Sequence, residues 1–282
     1  MTTLVTIPMS EIQSLAPMPV SVAKLARMLA NPDVSFNNVA RVIEFDEALT
    51  ANMLKLANSA MMASRTQIKT VKEAVIRLGT SQILKFVVAK HLNNALSQTL
   101  KGYELEENEL WMHSVASALA AENIGQFLAR PIPGLSFTAA LVHDIGKLIL
   151  NRHMNRNLVN QIKEKVELEH ITYIEAERAV LGTDHAKVGG EIASNWKFPK
   201  ELVDAIQYHH EPDAYGDVII DTVHIANNVA KLIGVGLGSE QMNLFASEEA
   251  PNRLGLTTTS LEALCAKVQT NLVKAEELFR GR

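Results

Sequence analysis

The sequence predicts an all-α fold, a multi-helix bundle in two packed helical lobes. Apolar residues recur at spacings of three and four along most of its length. Helix formers dominate and aromatic residues are only 5%. No stretch alternates apolar and polar residues for a useful length.

The elements follow in order. Val20, Val22, Leu25, Met28 and Leu29 form the first helical stripe. Asn31-Pro32-Asp33 ends it, and Ser35 is placed to cap the next helix, with Val39, Val42 and Ile43 on its apolar face. Met53, Leu54 and Leu56 mark a third helix, and Val71, Ala74, Val75 and Leu78 a fourth. Gly79-Thr80-Ser81 separates that helix from a fifth carrying Ile83, Phe86 and Val87. Residues 93–108 are polar and contain glycine, which reads as a seam between lobes. Val218-Ile219-Ile220 is the best strand candidate, but it runs into the helical pattern of Val223, Ala226 and Ala230. A loop spans about 234–258. Its Gly234, Gly236 and Gly238 lack the spacing of a phosphate-binding loop. Thr259 and Glu262 suggest a capping box for a last helix, Leu261 to Phe279. The expected division is 1–105 for an N-terminal lobe, 106–235 for a second lobe with a candidate metal site, and 236–282 for a C-terminal loop and helix. No internal repeat is visible, which weakens a solenoid reading.

Composition narrows the class. The chain has 282 residues, enough for a sizeable core. With 27 basic against 31 acidic residues the formal net charge is -4, which argues against a broadly basic nucleic-acid binder. A single cysteine, Cys265, rules out an internal disulfide framework and suits a reducing compartment. No run approaches the ~18 apolar residues of a membrane span, and the first residues lack a leader pattern. The expectation is a cytoplasmic protein without a membrane partner.

Nine histidines are present, and several have distinctive settings. Glu109 and His113 are four apart and share a helix face, which continues through Ala116, Ala120 and Ile124. A buried histidine beside a carboxylate needs a partner; a metal supplies one, but taken alone the pair reads first as a satisfied core histidine. His143 and Asp144 follow the apolar run 137–142 in the segment LVHDIGK. Buried carboxylates are usually paired or metal-bound. Gly146 permits a close backbone approach, and Lys147 lies three after Asp144, placed to meet an anionic substrate. His209 shares a face with Leu202 and Ile206. Its neighbour His210 points ~100° away, so the doublet suits two adjacent ligand positions. His185, taken alone, reads as a helix-start residue. Together these groups are the ligand chemistry of Zn, Mn or Fe, or of a two-metal site that clamps a phosphate.

The order of these histidines resembles the HD superfamily of metal-dependent phosphohydrolases. The N-terminal half narrows the resemblance to the HDOD domain over about residues 12–235. The segments 15–19 (LAPMP), 45–50 (FDEALT), 56–60 (LANSA) and 68–79 (IKTVKEAVIRLG) resemble its motifs, as do 111–114 (WMHS) and 196–199 (WKFP). In the second of these, Glu47 replaces a proline. The resemblance implies an all-helical bacterial signalling or regulatory protein of a family in which many members have lost the ligands. It implies metal ligands at His113, His143, Asp144, His185, His209 and His210, an additional carboxylate at Glu109, and phosphate approach by Lys147. Catalysis, if any, would fall to Asp144 and Lys147. Asn227 stands where related enzymes carry a closing aspartate, and residues 212–216 read PDAYG where the cyclic-di-GMP phosphodiesterases of the superfamily carry their GYP loop. The implied cofactor is one or two divalent transition-metal ions, Fe, Mn or Zn. The implied partners are a signalling protein, a phosphorylated small molecule or a nucleotide, with the last helix available to cap the core or form a homodimer. The alternative is a working phosphohydrolase on a nucleotide or other phosphoester.

Overall fold

The computed structural model describes residues 7–14, 18–31, 33–58, 67–128, 131–241 and 247–279. Leu15 to Pro17 of the 15–19 motif, Pro32, Ser59 and Ala60 lie outside the described residues, as does the stretch 242–246 of the loop expected at 234–258. Among the described residues every extended element is helical, and the β pairing is a single bridge between Leu100 and Leu105. No described helix is long and apolar enough to cross a membrane. The chain divides into two units. One comprises residues 17–92 with 196–199, and the other 93–195 and 200–282 with the first helix, α1 (Met9–Ser14).

The smaller unit holds α2 (Val20–Leu29), α3 (Phe36–Glu44), α4 (Glu47–Ala57) and most of α5 (Val71–Leu96). α2 buries Val22, Ala23, Leu25 and Ala26, and α3 buries Val39, Ala40 and Ile43. Ser35 precedes α3, but its hydroxyl makes no capping bond. Asp46 does cap α4: its Oδ1 accepts the Leu49 N–H at 3.0 Å, and its Oδ2 accepts the Ser21 hydroxyl at 2.7 Å. Asn58 holds residue 68 from both sides, donating to its carbonyl and accepting from its N–H, each at 2.8 Å. The two helices expected around Gly79 form one run broken at that residue, whose φ of 73° only glycine adopts freely. A concavity of about 430 Å³ between α2 and α3 is lined by Lys24, Arg27 and Asn38 and holds none of the clustered histidines.

The larger unit continues with α6 (Glu109–Asn123), α7 (Leu135–Val142), α8 (Lys147–His153), α9 (Arg156–Glu169), α10 (Tyr173–Leu181), α11 (His185–Asn195), α12 (Lys200–Tyr208), α13 (Pro212–Tyr215), α14 (Val218–Leu232), α15 (Glu249–Leu254) and α16 (Thr258–Phe279). α14 packs on α6, α7, α12, α15 and α16, and α11 packs on α12. The strand candidate at Val218 is the first turn of α14. That helix buries Ile219, Ile220, Thr222, Val223, Ile225 and Ala226, and a helix covered on most sides loses its single stripe. α16 begins earlier than expected. Thr257 and Ser260 cap it reciprocally, the Thr257 N–H donating to Ser260 Oγ at 2.7 Å and the Ser260 N–H to Thr257 Oγ1 at 3.2 Å. The pair Thr259 and Glu262 therefore sits inside the helix.

Candidate metal centre

Five helices of the larger unit bring the sequence motif together. α6 carries His113, and α8 starts with Lys147. His185 opens α11, His209 and His210 follow α12, and Asn227 lies on α14. His143 and Asp144 occupy the link between α7 and α8. There the backbone tightens to three-residue hydrogen bonds, Ile145 N–H to Val142 O at 3.0 Å and Lys147 N–H to Asp144 O at 3.0 Å. Gly146 allows the approach read from the sequence. A Cβ at that position would overlap the His185 carbonyl and come within 2.7 Å of the Gly189 nitrogen.

The imidazoles are oriented from behind. His143 donates through Nδ1 to the Ala140 carbonyl at 2.7 Å, His209 to Ile206 at 2.7 Å, and His113 to Val235 at 2.9 Å. His185 Nδ1 meets Glu177 Oε2 at 2.7 Å, and the same oxygen accepts the His185 N–H at 3.0 Å. A donor proton on Nδ1 leaves Nε2 of each neutral ring with its lone pair, the arrangement of a metal-ligating histidine.

The four Nε2 atoms face Asp144 in two sets. Oδ2 lies 3.3 Å from His143 and 3.6 Å from His113, while Oδ1 lies 3.4 Å from His185 and 4.0 Å from His209. His210 joins the second set, its Nε2 3.1 Å from that of His185. The groups His113, His143, Asp144 and His185, His209, His210 each gather their donor atoms within 4.8 Å. Nε2 of His143, Nε2 of His209 and Oδ1 of Asp144 are buried without a hydrogen-bond partner. Asn227 Oδ1 stands 3.1 Å from His113 Nε2, acceptor facing acceptor. Orphaned donors of nitrogen and oxygen converging in a buried place are what a divalent transition metal satisfies.

Burial sets the protonation of the set. It pushes His113 down to about 4, and pushes His209 and His210 well below the ordinary imidazole value, so these rings stay neutral. His185 is buried too, but the Glu177 carboxylate overrides that effect and holds it above the usual value. Burial would raise Asp144, yet His143 and Lys147 keep it well below the carboxylate range.

Glu109 is the residue the structure does not bring in. Its carboxylate accepts the Glu106 N–H at 2.8 Å at the exposed start of α6 and belongs to neither group. The shared helix face was read correctly, but a carboxylate in a first turn is drawn to the free N–H groups there. The sequence reading missed Glu177, Glu240 and Lys231. Glu177 braces His185 and accepts the Tyr103 hydroxyl at 2.7 Å. Glu240 reaches Lys147 and accepts from Lys231. No local spacing marks these residues. The Gly234–Gly238 loop was the available signal, and it packs directly on His113 through Val235.

The chain resembles known proteins along most of its length. The HDOD domain model matches residues 15–212. An uncharacterized protein of Treponema pallidum (strain Nichols) is 24% identical over 236 residues, covering 79% of this chain and 43% of that protein, so the chain spans less than half the length of this curated relative. A solved HDOD domain protein of unknown function from Geobacter sulfurreducens is 26% identical with a TM-score of 0.68, covering 94% of this chain and 92% of the other. A candidate signal transduction protein from Marinobacter aquaeolei VT8 is 22% identical with a TM-score of 0.73, over 98% of this chain and 61% of the other. A candidate phosphohydrolase from Shewanella amazonensis SB2B is 22% identical with a TM-score of 0.61, over 93% of each chain.

Proposed function

This chain belongs to the HDOD family, and from that premise we propose that it is a signal-transduction module whose larger unit holds one or two divalent transition-metal ions, Fe, Mn or Zn. The observation that carries the reading is Asp144, whose two oxygens face two separate histidine sets. His113 and His143, with Asn227 Oδ1 behind, would hold one ion with Asp144. His185, His209 and His210 would hold the other. Asn227 contributes an oxygen without charge, which lowers affinity on its side relative to a carboxylate. The regulatory reading is favoured because Lys147 is engaged by both Asp144 and Glu240 rather than presented to a ligand. A protein partner or a phosphorylated small molecule is then the natural correspondent of the module.

A second reading, a phosphohydrolase on a nucleotide or other phosphoester, is favoured by the complete histidine set beside Asp144 and Lys147. The metal would supply Lewis-acid polarisation of a phosphoryl oxygen. Asp144 would fix the geometry, and Lys147, once released, would offset charge on the phosphate.

Element analysis of protein purified without chelator tests the first reading. We expect a transition metal, and we expect His143→Ala with Asp144→Ala to remove it without unfolding the 17–92 unit. Metal-free wild-type protein, or a double variant that keeps its metal, overturns the assignment. Turnover of a generic phosphoester with Mn or Fe added selects the second reading over the first.

A further inference from the structure

The segment 234–241 lies beyond the part of the chain that the HDOD model matches, and it is built to sit close. At Gly236, φ 59°, a Cβ would come within 2.5 Å of the Glu109 carbonyl and 2.8 Å of His113 Cβ. At Gly238, φ 48°, a Cβ would overlap the Tyr103 carbonyl. The tight turn Gly238–Glu240 that follows is tied down by Ser239 Oγ, 2.8 Å from the Tyr173 hydroxyl. The result is one buried carboxylate between two buried lysines. Glu240 Oε1 pairs with Lys147, and Oε2 accepts from Lys231 at 2.5 Å. All three residues are 4–5% exposed. Lys147 also donates to Asp144 Oδ2 at 2.7 Å.

Two ammonium groups this deeply buried demand an anion. Apolar residues would pack such a place at less cost, so the lysines point to a second use. A pocket of about 10 Å³, bounded by Thr172, Tyr173, His210, Asn228, Lys231 and Glu240, has room for about one water and places Glu240 beside His210.

We propose that Lys231 completes, beside Lys147, an oxyanion subsite for a phosphate group, and that Glu240 fills it as an internal carboxylate until segment 234–241 withdraws. The subsite deepens the reading of a ligand-responsive metal centre and rests on it for its role, though the two lysines bind an anion with or without a metal.

Isothermal titration of the full chain with inorganic phosphate, and separately with AMP, tests the subsite, with metal content measured on the same samples. Glu240→Gln removes the competing charge, and Gly238→Ala lifts the segment while keeping every charge. Each should bind a phosphate probe about tenfold tighter than wild type, and adding Lys231→Met should erase the gain. A gain for inorganic phosphate supports a bare-anion subsite, and a gain for AMP alone supports a nucleotide one. Unchanged affinity for both probes in variants with native melts overturns the proposal. So does a gain that survives loss of Lys231, or loss of metal in Glu240→Gln, which would make Glu240 a ligand. Should Glu240→Gln not fold, Gly238→Ala carries the same expectation. Metal-free protein that still shows the gain leaves the subsite standing and removes the metal reading. Metal-bound protein without the gain does the reverse.

Discussion

Single side chains at this centre divide into those that face inward and those that aim them. Glu177 belongs to the second kind: it fixes the His185 ring, takes its backbone N–H and receives the Tyr103 hydroxyl. Glu177→Gln keeps the shape and removes the charge that holds His185 above its ordinary value. Metal affinity should fall about 10–100-fold, read by competition with a chelator of known affinity, while the far-ultraviolet spectrum stays native. Unchanged affinity would make Glu177 a packing residue only. The histidine–aspartate pair was legible in the sequence because an unusual dipeptide follows an apolar run and precedes Gly146 and Lys147. Glu177 was not, because its tie to His185 spans a helix end and a turn that no short pattern encodes. Glu109 was misread for the complementary reason, since helical spacing fixes a face and leaves the rotamer free.

Elements are fixed by a few positions that can be changed one at a time. Gly146 is where the start of α8 meets the start of α11 backbone to backbone, and no flexible side chain there can give way. Gly146→Ala should destabilise the larger unit by about 3 kcal/mol and lower its metal content, measured by denaturant melts and element analysis. A variant with the wild-type melt would contradict the contact. In the smaller unit, Asp46 caps α4, and its carboxyl is held below the ordinary value by the Leu49 N–H and then the Ser21 hydroxyl. A depressed value means the stabilisation is complete above about pH 4 and is lost as pH falls through the folded-state value. Asp46→Ala should therefore cost about 1 kcal/mol at pH 7, with the gap to wild type shrinking in acid. A gap that widens below pH 4 would reverse the sign. Helix boundaries were not read from a cap even where a side chain makes one, as at Asp46, and Ser35, read as a cap, makes no such bond. They were displaced where two candidate caps lay close together, as with Thr257 and Thr259.

At the scale of the molecule, every clustered candidate ligand among the described residues lies in the larger unit, and none lies in residues 17–92. A bound ion at about a hundred times its dissociation constant stabilises its host by about 3 kcal/mol, or about 5–10 °C for a unit of this size. Chelation should lower the melt by that amount, with faster amide exchange in α6, α11 and the α7–α8 link and unchanged exchange in α2–α4. A uniform loss of protection would contradict the placement. The helical class was visible because periodicity accumulates over the whole chain. The role of residues after 235 was not visible, because Glu240 acquires its meaning from Lys147 and Lys231, which only folding brings to it.

Asp144 gives one oxygen to each histidine set. A carboxylate shared in this way has a single negative charge to offer. The first cation to arrive takes most of that attraction, and the second meets a neighbour of its own sign. Under scarce supply the protein would therefore settle at one equivalent per chain, and a half-filled population would be its resting composition rather than a sign of damage.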